Sequence, residues 1–158
     1  FFTVYGPWGR PDMAPMIFTK SILLKKPIKI FNNGNMMRDF TYIDDVVECT
    51  IRCGYKPAIK DDSFDDSNPN PSTSFAPHRI FNIGNNNPTN LMEFVSIIES
   101  ELGIKALKEF YPAQQGDAQE TFADTSKIND WINFKPKFEL SEGIKKFISW
   151  YRKYYKLL

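Results

Sequence analysis

The residues best equipped for chemistry cluster in Arg38-Asp39-Phe40-Thr41-Tyr42-Ile43-Asp44-Asp45, where a cation, carboxylates, aromatics and β-branched residues share one short stretch. An arginine just past a tight turn suits an anion such as a phosphate, because its planar fork bonds two oxygens at once. Asp44 or Asp45 suits the start of a helix, where a carboxylate caps free N–H groups and meets the positive end of the dipole. The same stretch is equally compatible with a strand, a surface ion pair and a helix cap. A second candidate is the loop Gly6-Pro7-Trp8-Gly9-Arg10-Pro11, with Trp8 and Arg10 at its tip. It reads either as a ligand loop next to a strand end or as a packed tryptophan beside a solvated arginine.

The rest of the inventory is marked by what it lacks. No glycine-rich phosphate loop follows an early strand, and there is no Walker loop, Ser-His-Asp set or zinc spacing. No Tyr-x-x-x-Lys pair stands in a plausible site. His78, the only histidine, has no nucleophile or second ligand in view. Cys49 and Cys53 would share one helix face and read as two buried thiols of a cytosolic protein rather than as half of a metal site. The chain carries ligand-binding equipment, with no catalytic residue of its own and no metal site.

The elements that must position these residues follow from periodicity and punctuation. Phe1 to Tyr5 reads as a buried strand, and Met13 to Lys26 as a helix with Pro15 in its first turn. Lys29-Ile30-Phe31 and Met37 to Tyr42 read as strands joined through Asn32-Asn33-Gly34-Asn35, whose Asn-Gly pair is a strong hairpin signal. That hairpin would set Phe31 near Arg38, as a base beside its phosphates or as ordinary sheet. Asp44 to Tyr55 is apolar nearly all round, which predicts a helix buried on more than one side. The stretch from about 58 to 79, rich in Asp, Ser and Pro, predicts a long loop or mobile insertion. Ile80 to Gly84 reads as a strand and Asn85 to Asn90 as a turn with Asn90 as helix cap. A helix follows from Leu91 to Leu102, ended by Gly103. Lys108 to Pro112 is a short strand, Thr125 to Trp131 a short helix, and Ser141 can cap a last helix with Ile144, Phe147, Ile148 and Tyr151 on one face. Short strands mixed with helices give an α/β or α+β class.

At 158 residues this is one domain or part of one, and 42% apolar with 15% aromatic residues can build a core. A formal net charge of +1 offers no bulk field for nucleic acid or an anionic membrane. No apolar run approaches the roughly 20 residues of a membrane span. The chain begins in mid-strand without Met, which predicts a fragment whose exposed apolar surface drives self-association or a rearranged N-terminus.

Phe1-Phe2-Thr3-Val4-Tyr5-Gly6-Pro7-Trp8-Gly9-Arg10-Pro11-Asp12-Met13, then Arg38 to Asp45, then Phe81-Asn82-Ile83-Gly84-Asn85, then Gly116-Asp117 with Thr121-Phe122-Ala123-Asp124, resemble a known pattern in order and rough spacing. It is that of the C-terminal half of extended short-chain dehydrogenase/reductases of the NAD-dependent epimerase/dehydratase family, which act on nucleotide sugars. Thr3 before Tyr-Gly-Pro, where decarboxylases and 4,6-dehydratases usually carry Asn, and the insertion Pro71-Ser72-Thr73-Ser74-Phe75-Ala76-Pro77 resemble the UDP-glucuronate 4-epimerases most. The resemblance implies an α/β fold: the last strands of an extended Rossmann-type domain plus a small mixed α/β substrate-binding domain, the NAD-binding portion lying upstream.

It also implies an activity. NAD takes a hydride from the sugar, a tyrosine upstream of Phe1 takes the proton, and a transient 4-keto sugar turns over before hydride returns. UDP-glucuronate and UDP-galacturonate interconvert, and this chain alone is inactive. The alternatives are a related dehydratase or decarboxylase, or a non-catalytic UDP-sugar binding module. Residue by residue, the likeness places Thr3 at the sugar carboxylate and Arg10 and Arg38 at the diphosphate. It places Phe31 and the backbone around Lys29 at the uracil, Asp117 at the ribose hydroxyls, and Phe1 near the nicotinamide. Gln114 departs from related galactose epimerases, which carry an arginine there, so that either Arg10 replaces the contact or it is lost. The implied parent is a cytoplasmic homodimer, with no nucleic-acid or membrane partner.

Overall fold

The computed structural model describes residues 1–157. Its strands are short and form three two-stranded sheets. β1 (Val4–Tyr5) lies parallel to β4 (Thr41–Tyr42), β2 (Ile28–Ile30) parallel to β6 (Lys108–Phe110), and β3 (Met37–Asp39) antiparallel to β5 (Pro88–Asn90). Five α-helices complete the fold: α1 (Ala14–Leu23), α2 (Ile43–Tyr55), α3 (Leu91–Leu102), α4 (Ser126–Ile132) and α5 (Leu140–Tyr154).

The periodic residues do what their spacing demands. Phe94, Val95 and Ile98 of α3 and Ile144 and Phe147 of α5 are buried in one core with Ile22 of α1. Phe40 stacks on Phe94 with ring centroids 4.3 Å apart, which ties the strand region to the helices. Asn90 caps α3 by accepting from the Met92 N–H at 2.8 Å, and Gly103 closes it at φ 68°. A smaller cluster of Cys49, Ile128 and Phe134 joins α2 to α4.

Several expectations are corrected. There is no hairpin across Asn32-Asn33-Gly34. Asn32 and Asn33 both have positive φ within a one-turn 3-10 segment, and Gly34 follows at φ 81°. The chain therefore bends into a new direction, and β2 and β3 take partners far along the sequence instead of each other. Ile80 to Gly84 forms no strand; it makes two single backbone bonds to different segments, Phe2 N–H to Ile83 O and Ile80 N–H to Ser72 O, both at 3.1 Å. Pro88 to Asn90, expected as turn, pairs with β3. The strand from Phe1 shortens to Val4–Tyr5, and α5 starts at Leu140, ahead of Ser141. α2 is buried on one side only: Asp45, Val46 and Cys49 face inward while Val47, Ile51 and Tyr55 are exposed. Between α2 and β5 no helix or strand forms.

Candidate functional site

Two acids of the 38–45 stretch, Asp39 and the cap candidate Asp45, are the braces of the site. Asp39 is fully buried. Its Oδ1 accepts from the Asn85 N–H at 3.1 Å, and its Oδ2 accepts from the Asn86 and Ala123 N–H groups at 3.1 and 3.2 Å. One carboxylate thus satisfies amides of two loops that no strand pairing could satisfy. Gly84 lets those loops close in, since a Cβ there would meet Oδ2 of Asp39 at 2.8 Å and the Ala123 Cβ at 2.3 Å. Asp45, 2% exposed, accepts from the Lys137 and Phe138 N–H groups at 3.0 and 3.2 Å, so it holds the approach to α5 and makes no N-cap bond of its own helix. The sequence signal for both was present, an acid beside an apolar run, but its partners lie tens of residues away.

Thr3 is held in a strained place. Its φ is 26°, which a β-branched residue rarely adopts. The bonds that hold it come from Thr41, itself fully buried: the Thr41 N–H donates to Thr3 O at 3.1 Å and Thr41 Oγ1 donates to Phe2 O at 2.9 Å.

In front of Thr3 opens a cleft of about 690 Å³ between α1, the β2 end and β3. Phe18, Met36, Phe40 and Leu91 give it an apolar floor, and Thr3, Lys29, Phe31, Arg38, Gln114 and Asp117 reach it from the rim. Residues singled out from sequence on separate elements are therefore brought to one cavity, though not by the hairpin. Phe31 lies 5.7 Å from the Tyr111 ring, and the Lys29 ammonium lies 5.7 Å from that same ring. Tyr111 went unnoticed in the sequence; its place straight after β6, the parallel partner of β2, is what brings it here.

Arg38 is 16% exposed and fully oriented. Nη1 donates to Met37 O at 2.9 Å and Gln119 O at 3.2 Å, and Nη2 donates to Asp117 Oδ1 at 2.7 Å. The loop carrying Gln114 and Asp117 is thereby strapped to β3. The rim holds two cations, Lys29 and Arg38, and two carboxylates, Asp12 and Asp117. Its preference for an anion depends on what Asp12 and Asp117 are paired with. Asp117 pairs with Arg38. Asp12 pairs with Arg10 at 2.9 Å, and the hydrogen bond from Arg10 holds its carboxyl below the usual range.

Two expected residues lie outside the cavity wall. Arg10 is exposed and turned to Asp12 and Met13. Phe1 is 76% exposed.

The arrangement can hold a flat ring beside Phe31, which Tyr111 supports, an anion at Lys29 and Arg38, and a hydroxyl-bearing group near Thr3 and Asp117.

Residues 1–65 match the family described as NAD dependent epimerase/dehydratase family. Protein CapI of Staphylococcus aureus is 49% identical over 156 residues, which are 99% of this chain and 47% of that protein. A probable UDP-glucuronate 4-epimerase of Rhizobium meliloti is 41% identical over 157 residues, 99% of this chain and 46% of that protein. The structure of the Bacillus cereus UDP-glucuronic acid 4-epimerase in complex with UDP-glucuronic acid and NAD has a TM-score of 0.79 at 30% identity, covering 98% of this chain and 44% of that one. The chain spans about half the length of these relatives.

Proposed function

We propose that this chain, whose residues 1–65 match the NAD dependent epimerase/dehydratase family, is the substrate-binding portion of a UDP-glucuronate 4-epimerase, interconverting UDP-glucuronate and UDP-galacturonate. The observation that carries the proposal is the convergence of Thr3, Lys29, Phe31, Arg38 and Asp117 on one cleft. NAD, present in the related complexes, supplies the hydride acceptor. It would be bound mainly by residues outside this chain, with Phe1 at its edge.

The chain's own residues bind and orient. Phe31 and the Lys29 backbone take the uracil, the Arg38 fork takes the diphosphate, and Asp117 takes the ribose hydroxyls. For the last two to happen together, Asp117 exchanges part of its bond to Arg38 for bonds to the ribose, and the diphosphate takes the vacated guanidinium N–H. Arg10, outside the cleft wall and paired with Asp12, would have to leave that pair to serve as the second cation for the diphosphate, and in doing so would make up for the uncharged Gln114. Thr3 bonds the sugar carboxylate. Fixing that carboxylate away from the perpendicular to a neighbouring 4-ketone suppresses loss of carbon dioxide, so a hydroxyl at this position favours epimerisation over decarboxylation. By itself this chain has no proton-transfer pair and is inactive; the whole enzyme is a homodimer in the cytoplasm.

Titration calorimetry of UDP into this chain tests the proposal. UDP binds, and Arg38→Ala weakens it by about ten-fold or more, since a charge-assisted bond to phosphate is worth about 1.5–3 kcal/mol. No UDP binding, or equal binding by Arg38→Ala, would overturn the assignment of this cleft.

A further inference from the structure

On the side of α1 away from the cleft lies a face that the sugar-nucleotide reading does not use. Trp8, 73% exposed and held at φ 63°, leans on α5. Its ring packs 5.5 Å from Trp150 and 4.9 Å from Tyr154, and Trp150 stacks on Tyr154 at 5.3 Å. This aromatic ridge divides two grooves. One, of about 590 Å³, is lined by Lys145, Lys146 and Lys153. The other, of about 470 Å³, is lined by Leu23, Leu24, Tyr155 and Leu157, with Lys20 at its wall. Leu24, Tyr154, Tyr155 and Leu157 are each at least 45% exposed.

The charges here are one-sided. No acid occurs from Met13 to Arg38 or after Glu142, the two stretches that build this face. Glu142 is committed to Lys146 at 3.6 Å and Asp12 to Arg10. Among the described residues Lys20, Lys145 and Lys153 form no ion pair. The near-neutral total of +1 is therefore an average over a cationic face and a more acidic remainder.

We infer that this face docks on an anionic lipid bilayer, lying on the surface with Trp8, Tyr154, Leu24 and Leu157 in the interfacial zone and the lysines among the headgroups. The charge excludes a second copy of the same face, because lysine would oppose lysine. The rings pack on one another, which removes the free platforms that nucleic-acid bases stack on. Interfacial binding needs no free ring face: amphipathic aromatic tips, exposed leucines and lysines whose stems lie along apolar surface suffice. Among the described residues no helix is long and apolar enough to cross a membrane, so the contact is peripheral. Ile17 and Ser21 on the other side of α1 line the sugar-nucleotide cleft, so docking leaves that cleft open. The inference does not depend on which ligand the cleft takes.

Vesicle flotation of this chain tests it. The chain floats with phosphatidylcholine vesicles containing one-third phosphatidylglycerol at low salt, does not float with phosphatidylcholine alone, and is released at high salt as the surface field is screened. Lys145→Glu with Lys153→Glu weakens binding at least about twenty-five-fold, on the basis of about five-fold for each lysine lost near the surface. Circular dichroism checks that the variant is folded. Should it not fold, quenching of the native chain's tryptophan emission by brominated lipid decides, since Trp8 and Trp150 enter the interface. Absence of flotation, flotation unchanged in the folded double variant, equal flotation on neutral vesicles, or no quenching overturns the inference. So does self-association that Trp8→Ser abolishes without any vesicle binding.

Discussion

Replacing Asp39 with Asn removes a charge and almost no volume, so its effect isolates hydrogen bonding from packing. Each carboxylate oxygen is used on its own side: Oδ1 faces the Asn85 N–H at 3.1 Å and the Asn87 N–H at 3.5 Å, while Oδ2 faces the Asn86 and Ala123 N–H groups at 3.1 and 3.2 Å. An amide in either orientation turns its NH2 toward donors that have no other protein acceptor. The oxygen that remains is neutral, which roughly halves the strength of the bonds it keeps. With the NH2 on the Oδ2 side the buried Ala123 N–H is orphaned, and on the Oδ1 side the half-buried Asn85 N–H is; Asn86 and Asn87 are exposed and can rehydrate. One orphaned buried donor, at about 1–3 kcal/mol, plus weakening of the bonds retained, gives a loss of about 3–5 kcal/mol. That is a large part of the stability of a domain this size, about 5–15 kcal/mol. With a urea slope of about 2 kcal/mol/M, the midpoint drops by about 1.5–2.5 M at unchanged slope. The assay is urea unfolding of the purified chain at neutral pH, followed by circular dichroism. A midpoint drop under about 0.3 M would refute the reasoning, for it would mean that these amides are satisfied without the carboxylate.

Two further outcomes follow from the core. Gly143→Ala destabilises by about 1–3 kcal/mol although alanine is the better helix former, because its Cβ would meet Tyr5 Oη at 2.0 Å, whereas Gly54→Ala, with nothing within 4 Å, does not destabilise; comparing the two melting temperatures checks this. Glu99, 4% exposed, feels burial pushing its pKa up, but bonds from Lys108, the Ala106 N–H and Lys105 outweigh it and leave the pKa lowered. Its contribution is therefore present above the unfolded pKa of about 4.3 and is lost as pH falls through the lower folded value, so Glu99→Gln flattens the fall in urea midpoint below about pH 5; parallel curves for the two proteins would sink this.

How much could be read in advance varied with the range of the interaction. The helices Leu91–Leu102 and Leu140–Tyr154 were legible because periodicity, the Asn90 cap and Gly103 act within one turn or one face. The Asn32-Asn33-Gly34 signal was legible as a bend and misleading as a hairpin, because left-handed residues allow a turn without choosing which strand pairs with which. The strand expected at Ile80–Gly84 failed because a ladder needs a neighbour, and here Phe2 supplies one bond.

The sequence by itself determined the resemblance, the caps of α3, the periodicity of α3 and α5, and a set of candidate polar residues, all of which depend on residue type and short spacing. Tertiary structure alone decided that Asp39 and Asp45 brace loops and that Arg38 is pinned by Asp117 seventy-nine positions away. Carboxylates and guanidinium groups bond whatever donors and acceptors the fold delivers, so their roles depend on contacts between residues distant in the chain, which no local pattern encodes.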